Sequence, residues 1–172
     1  IVNSPPNLLT KIKFTTELGK IQKIREETIM NNLILNPAIC MMILTFFMMV
    51  WMYATRIPAS KSIEEKGIDL QDLSHPSKLG GIFPSKVERV ADNYNHLFEQ
   101  PTVFYALIFI IWALNATDNF YLYCAWIYFF VRVIHSIFQA TLNLVWIRFS
   151  LFMLSWIILA LMIFKLAASE LI

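Results

Sequence analysis

Charge, glycine and cysteine are all scarce in this chain of 172 residues. Only 15% of the residues are charged, the formal net charge is +2, and there are four glycines and two cysteines. This charge is too small, and the basic residues too scattered, for a nucleic-acid partner. Cys40 and Cys124 lie inside separate apolar runs, where we expect thiols at lipid depth or in the core and no disulfide. His75, His96 and His135 lack metal-ligand spacing, so no metal site is predicted.

Hydrophobic residues are abundant instead. They make up 58% of the chain, and the mean hydropathy of +0.58 is typical of a membrane-embedded protein. Four apolar stretches each approach the ~20 residues that a helix needs to cross a bilayer, and only helices satisfy their own backbone groups there. We predict membrane helices over about 37–55, 86–115, 119–139 and 147–168.

The connections between these stretches predict how the helices are arranged. The second and third connections are short, so neighbouring helices should run antiparallel. The first connection, 56–85, is long and contains both charge signs, with a short surface helix expected near 62–73. The sequence therefore predicts an all-α integral membrane protein, an up-down bundle of four transmembrane helices.

Lysine and arginine predict the orientation of the bundle. They are frequent in the first loop and absent from the second, which places the first loop in the cytoplasm and the C-terminus outside. Residues 1–29 carry basic residues that disagree with this topology. Either they form a basic arm or targeting sequence, or they are not native, because the chain begins with Ile1 and a typical membrane-protein start follows at Met30. We expect 1–29 to be a non-native or disordered extension and 30–172 to be the membrane domain.

Polar residues recur at helical spacing within the apolar stretches. On the second helix, one face is predicted to carry Arg89, Asn93, His96 and Gln100, and the adjoining stripe Asp92, Asn95 and Glu99. On the third helix, Arg132, His135 and Gln139 share a face beside Ser136, and Arg148 begins the fourth.

Charged groups at membrane depth cost at least a few kcal/mol each, so they should face the bundle interior. We predict that Asp92 and Glu99 pair with Arg132 and Arg148 around a polar cavity between helices two, three and four. That cavity would hold an anionic or zwitterionic ligand. Two plainer interpretations remain open. The polar residues could be packing contacts between helices, with each interhelical hydrogen bond contributing ~0.6 kcal/mol, or the polar start of the second helix could be a solvated turn above the bilayer.

These residues also resemble a known family. The segment "RVADNYNHLFEQP" is similar to the second-helix signature of MAPEG proteins, the membrane-associated proteins in eicosanoid and glutathione metabolism, through Arg89, Asn93 or Asn95, Glu99 and Pro101. The run "RVIHS" and an arginine sixteen residues after Arg132 extend the resemblance, which covers about 37–166 and looks closest to an uncharacterised bacterial branch.

The resemblance implies a homotrimer that binds glutathione between subunits. Arg148 corresponds to the arginine that lowers the pKa of the glutathione thiol, a role that suits a fixed guanidinium in a low-dielectric site. The expected glutathione-binding residues are Arg89, Asn93, Asn95, Glu99, Arg132 and His135. For His96 and His135 the resemblance leaves open a proton carrier or a histidine with satisfied hydrogen bonds.

The predicted function is a glutathione-dependent transferase or peroxidase that acts on lipophilic small molecules dissolved in the membrane. The alternative is a non-enzymatic lipid-binding or scaffold member, because Gln139 and Phe152 stand where glutathione-active members carry tyrosines. A proton conduit through the buried charges is a third hypothesis. A bacterial inner membrane, or an organellar or endoplasmic reticulum membrane, is the expected location.

Overall fold

A computed structural model describes residues 8–65, 67, 71 and 81–171, with side chains from Phe14 onward. All regular structure in these residues is helical. The six helices are α1 (Leu8–Leu33), α2 (Leu35–Glu64), α3 (Ser85–His96), α4 (Gln100–Ala113), α5 (Asn119–Ala140) and α6 (Val145–Glu170). They form four segments that are long and apolar enough to cross a membrane: Phe14–Glu64, Ser85–Ala113, Asn119–Ala140 and Val145–Glu170. The predicted four-span, all-α membrane architecture is confirmed.

The first span is longer than predicted. α2 continues beyond residue 55 and through Pro58 to Glu64, so the first residues of the surface helix expected near 62–73 belong to α2. The rest of that segment lies almost entirely outside the described residues. α1 continues almost directly into α2, and the residues of 1–29 that the structure describes are helical from Leu8. Residues 14–29 are exposed, and this part of α1 extends beyond the packed helices of the bundle.

A polar contact fixes the α1–α2 junction to the second loop. The Asn31 Nδ2 donates to the carbonyl oxygen of Trp112 at 2.9 Å and to Asn115 Oδ1 at 3.0 Å. Thr117 Oγ1 donates to Asn31 Oδ1 at 2.7 Å, and the Trp112 indole donates to Asn32. Asn115 has a φ of 53°, a left-handed conformation that asparagine tolerates better than most residues. These contacts place the start of the first span beside the second loop.

The second span is broken, whereas the sequence predicted one helix over 86–115. α3 ends at His96, three residues form a turn, and α4 begins at Gln100. Pro101 explains the break, because it has no N–H to continue a helix and is readily accommodated in the first turn of a new one. The 14 residues of α4 are roughly 21 Å long. The break therefore lies within the ~30 Å hydrocarbon core, toward the first-loop side.

The half of the bundle next to the second loop is packed with apolar side chains. Phe104 of α4 stacks on Tyr128 of α5, with ring centroids 4.3 Å apart and planes at 18°. Ile108, Ile111, Leu159 and Met162 are buried around them. Many large apolar side chains on the outside of the spans are exposed, as expected for a surface in contact with lipid.

An ion pair joins the second loop to the end of α6. Asp118 caps α5 by accepting a hydrogen bond from the backbone N–H of Tyr121 at 2.9 Å, and its other oxygen accepts one from Lys165. The Lys165 Nζ also lies 4.5 Å from the ring centroids of both Phe120 and Tyr121. Partial burial raises the pKa of Asp118, but the hydrogen bonds from Lys165 and Tyr121 outweigh it and hold that pKa below its usual value.

Candidate functional site

The half of the bundle next to the first loop contains a buried polar cluster. Its members come from α3, α4, α5 and α6: Asn93, Gln100, Arg132, His135, Ser136, Gln139 and Ser155. All of the third-helix residues assigned to one face by their spacing are buried, and so are Asn93 and Gln100 of the second-helix face. The periodic pattern therefore identifies which side chains face the interior.

Arg132 lies at the centre of this cluster and is 0% exposed. Its Nη2 donates to the carbonyl oxygen of His96 at 3.3 Å, and its Nη1 donates to Gln100 Oε1 at 3.4 Å. Ser155 Oγ donates to the same Gln100 oxygen at 3.0 Å. The break between α3 and α4 makes these contacts possible, because a helix end leaves backbone carbonyls without intrahelical partners.

The predicted pairing of Glu99 with Arg132 is wrong. The Glu99 side chain is 59% exposed, and its Oε2 lies 2.9 Å from Nδ1 of His96. Glu99 influences Arg132 electrostatically but without contact. Assigning both residues to one cavity assumed a continuous helix, whereas Glu99 is the last residue of the turn and points away from the interior.

The other two members of the predicted ion-pair set, Asp92 and Arg148, are not in an ion pair with each other or with Glu99 and Arg132 either. Asp92 is exposed on α3, and Arg148 donates to Asn143 Oδ1 at 2.8 Å. Within the described residues, the ion pairs of the cluster are therefore replaced by hydrogen bonds to neutral oxygens.

A cleft lies between the end of α3, the end of α5 and the start of α6. Its lining residues are His96, His135, Val145, Arg148, Phe149 and Phe152, and we call it the His96–Arg148 cleft. Its volume is about 190 Å³. The polar groups of its wall are two imidazoles and one guanidinium, and the others are apolar or aromatic. Such a wall suits a ligand with a negative charge beside an apolar part.

The remaining predicted site residues are distributed over several environments. Arg89 donates to the carbonyl oxygen of Thr141 at 2.8 Å and to Ser85, so it ties α3 to the end of α5. Asn95 is exposed, and Asn93 is fully buried. His135 lines the cleft, with its Nε2 2.9 Å from Gln139 Oε1. Of the predicted set, only Arg148 and His135 share the cleft.

Several buried polar atoms have no hydrogen-bond partner among the described residues. They include both side-chain atoms of Asn93, Nε of Arg132, Nδ1 of His135, Oγ of Ser136 and the Nε2 atoms of Gln100 and Gln139. Leaving such an atom unsatisfied costs about 1–3 kcal/mol. Most of these atoms are donors, so the cluster could donate further hydrogen bonds to acceptor groups of a bound molecule.

Three contributors to the site were not included in the predicted set. His96 lines the cleft, Gln100 accepts a hydrogen bond from the guanidinium of Arg132, and Ser155 donates one to Gln100. All three are polar residues in otherwise apolar surroundings. The spacing of His96 and Gln100 from Arg89 was the available signal. Ser155 lies seven residues after Arg148, two turns along the same face of α6, and that spacing was the signal for it.

Four membrane-crossing segments and the buried polar cluster around Arg132 define this chain as a multi-pass integral membrane protein with a polar site in one half of the bundle. The MAPEG family model matches residues 34–168, which is most of the chain, and the protein belongs to the MAPEG family. It is thus a membrane protein of the glutathione and eicosanoid metabolism family. Neither the curated proteins nor the solved structures contain a significant match.

Proposed function

We propose that this protein is a glutathione-dependent transferase or peroxidase that acts on lipophilic electrophiles in the membrane. The observation that carries the proposal is the position of Arg148 in a cleft that it shares with two imidazoles and two phenylalanine rings, at the first-loop end of the bundle. Family membership supports glutathione as the thiol substrate. The positive-inside distribution of lysine and arginine supports a cytoplasmic position for the cleft.

The donor set of the cleft fits part of a glutathione molecule. The guanidinium of Arg148 is half-buried and fixed by Asn143, so it can stabilise a thiolate without first reorganising. Phe149 and Phe152 supply apolar surface on which a lipophilic electrophile can lie next to the sulfur. Phe152 cannot donate a hydrogen bond, so thiolate stabilisation depends on Arg148.

The size of the cleft supports assembly of the site from more than one chain. Sites that enclose a small molecule usually measure 300–1,000 Å³. The His96–Arg148 cleft, at about 190 Å³, accommodates the thiol end of glutathione but not the whole tripeptide. We therefore propose that the remaining part of glutathione contacts a neighbouring subunit of a homotrimer.

Isothermal titration of glutathione into the detergent-solubilised protein tests the proposal directly. We expect saturable heat for the unsubstituted protein. Arg148→Met should lower the turnover of a lipophilic electrophile about 100-fold, the magnitude typical of removing a group that stabilises developing negative charge. Arg25→Met, which removes the same charge from the exposed surface of α1, is the matched control and should leave turnover unchanged. An absence of heat with the unsubstituted protein ends the proposal.

A non-enzymatic scaffold or lipid-binding function is the second candidate. It is favoured by the full burial of Arg132, whose hydrogen bonds go to the protein's own oxygens, and by Gln139 and Phe152 in place of tyrosines. On this hypothesis, Arg132→Gln and Glu99→Gln dissociate the assembly and leave small-molecule binding unchanged. Size-exclusion chromatography with light scattering, run beside the titration, separates the two functions.

A further inference from the structure

The hydrogen-bonded pair formed by His96 and Glu99 is not used by the thiolate stabilisation proposed for Arg148. We propose that His96, oriented by Glu99, is the general base that removes the proton from the thiol bound in the His96–Arg148 cleft. This inference rests on the proposed function, because it requires a thiol beside Arg148. It assigns Glu99 to positioning a base rather than to holding the tripeptide.

The geometry of the pair is that of a base oriented by a third group. The Oε2 of Glu99 lies 2.9 Å from Nδ1 of His96, and a carboxylate can only accept in this contact. Nδ1 therefore carries the hydrogen, and Nε2 is the basic atom of the ring. His96 lines the cleft, whereas Glu99 is not among the lining residues. A nucleophile, a base and an orienting carboxylate in this order are the elements of nucleophilic activation.

Both the backbone and the imidazole ring of His96 are held by hydrogen bonds. Its carbonyl oxygen accepts the hydrogen bond from Arg132, and it is the last residue of α3 before the turn. The main chain and the imidazole are thus held by two different residues. Such restraint favours catalysis, because a reacting group that is already in position loses little freedom at the moment of reaction.

The other imidazole of the cleft is poorly suited to the same task. His135 is 2% exposed, its Nε2 is 2.9 Å from Gln139 Oε1, and its Nδ1 is unpartnered among the described residues. Arg132, Arg148 and His96 all act on it electrostatically, and the described structure gives it no carboxylate partner. Of the titratable groups that contact His96 or line the cleft with it, namely Glu99, Arg132, His135 and Arg148, only Glu99 is acidic.

The step can be written for chlorodinitrobenzene as the electrophile. The S–H bond of glutathione breaks as Nε2 of His96 takes the proton, and Arg148 stabilises the thiolate. A C–S bond then forms at the ring carbon that carries chlorine, the C–Cl bond breaks and chloride leaves. The imidazolium returns its proton to water. No oxidant or reductant is required.

The test compares His96→Ala and Glu99→Gln with the unsubstituted protein, each in the full chain in detergent. We expect His96→Ala to lower kcat about 100-fold, within the range for loss of a general base, while the Kd of glutathione changes less than about twofold. Added imidazole should restore kcat at least tenfold, on the order of the base contribution that it replaces. Glu99→Gln should lower kcat about tenfold with KM unchanged, since the base is present but less well oriented.

Glu99→Asp, which keeps the carboxylate, should recover most of this loss, and Asp92→Asn is the matched control on the exposed face of the same helix. The inference is overturned if His96→Ala keeps full turnover. It is also overturned if His96→Ala raises KM at constant kcat and imidazole has no effect, because His96 is then a binding residue. Failure of the unsubstituted protein to bind glutathione overturns the proposed function, and this inference with it.

Discussion

The guanidinium of Arg132 on α5 donates a hydrogen bond to the backbone oxygen of His96, the last residue of α3, across 3.3 Å. This contact joins the centre of the buried polar cluster to the wall of the cleft. The backbone oxygen of His96 is available as an acceptor because the second span is broken immediately after this residue. A fully buried cation therefore fixes the position of a residue that lines the candidate site.

Substitution of Arg132 distinguishes its effect on the position of His96 from its effect on the stability of the fold. Arg132 forms two long hydrogen bonds to neutral oxygens, so its desolvation is poorly compensated. We expect Arg132→Met to leave the free energy of unfolding unchanged or to raise it by about 1–2 kcal/mol, while turnover falls at least tenfold. SDS titration in mixed micelles and an activity assay measure the two effects. A loss of several kcal/mol would instead favour the scaffold hypothesis.

Tyr128 provides a test of the packed half of the bundle. Its side chain is 0% exposed, and its hydroxyl has no partner among the described residues. Tyr128→Phe removes this hydroxyl and keeps the ring that stacks on Phe104, so we expect the free energy of unfolding to rise by about 1 kcal/mol. Phe104→Ala is the contrasting variant, with an expected loss of about 3–5 kcal/mol from the cavity it leaves. Destabilisation by Tyr128→Phe would show that the hydroxyl has a partner.

Asp118 should make the stability of the second loop dependent on pH. Its pKa is lowered in the folded protein, so ionised Asp118 stabilises the fold at neutral pH, and this contribution disappears as the pH falls through the lowered pKa. Because both side chains of the ion pair are more than a third exposed, we expect Asp118→Asn to lose no more than about 1 kcal/mol. Thermal unfolding at pH 7 and at decreasing pH should show the two proteins converging in acid.

The matched variant for this experiment is Asp118→Ala. Asparagine also caps helices, whereas alanine removes the cap of α5 together with the ion pair, so a further loss of about 1 kcal/mol is expected. Equal stabilities of the Asn and Ala variants would show that the cap contributes nothing.

Asn31 tests the attachment of the first span to the second loop. Asn31→Ala removes hydrogen bonds to Trp112, Asn115 and Thr117, and we expect a loss of about 2–3 kcal/mol. Asn36→Ala, at an exposed position in α2, is the control and should change stability by less than about 0.5 kcal/mol. Similar stabilities of both variants would contradict a structural role for the Asn31 contacts.

Hydropathy and spacing predicted the spans and the residues that face the interior. Arg132, His135 and Gln139 recur at three and four residues in an apolar run, and burial follows from the high cost of placing such groups in lipid. The same logic placed Asn93 and Gln100 correctly. These predictions depend only on local helix geometry, which the sequence specifies directly.

The partners of the polar groups were not predictable in the same way. Glu99 and Arg132 come from different helices, and whether they meet depends on the exact course of the chain at residues 97–99. Pro101 is compatible with either a kink or a complete break, and only a complete break turns Glu99 toward His96. The contact of Asn31 with Asn115 and Thr117 depends on a left-handed turn that spacing does not reveal.

The stacked rings of Phe104 and Tyr128 have a consequence for transport. Each ring lies one helical turn beyond a member of the buried polar cluster, Gln100 or Arg132, on the side toward the second loop. Beyond them, the interior is lined by Ile108, Ile111, Leu159 and Met162. A hydrated ion that reached Arg132 would have to give up its water to enter this apolar layer, which is costly, so we expect the bundle to conduct ions poorly.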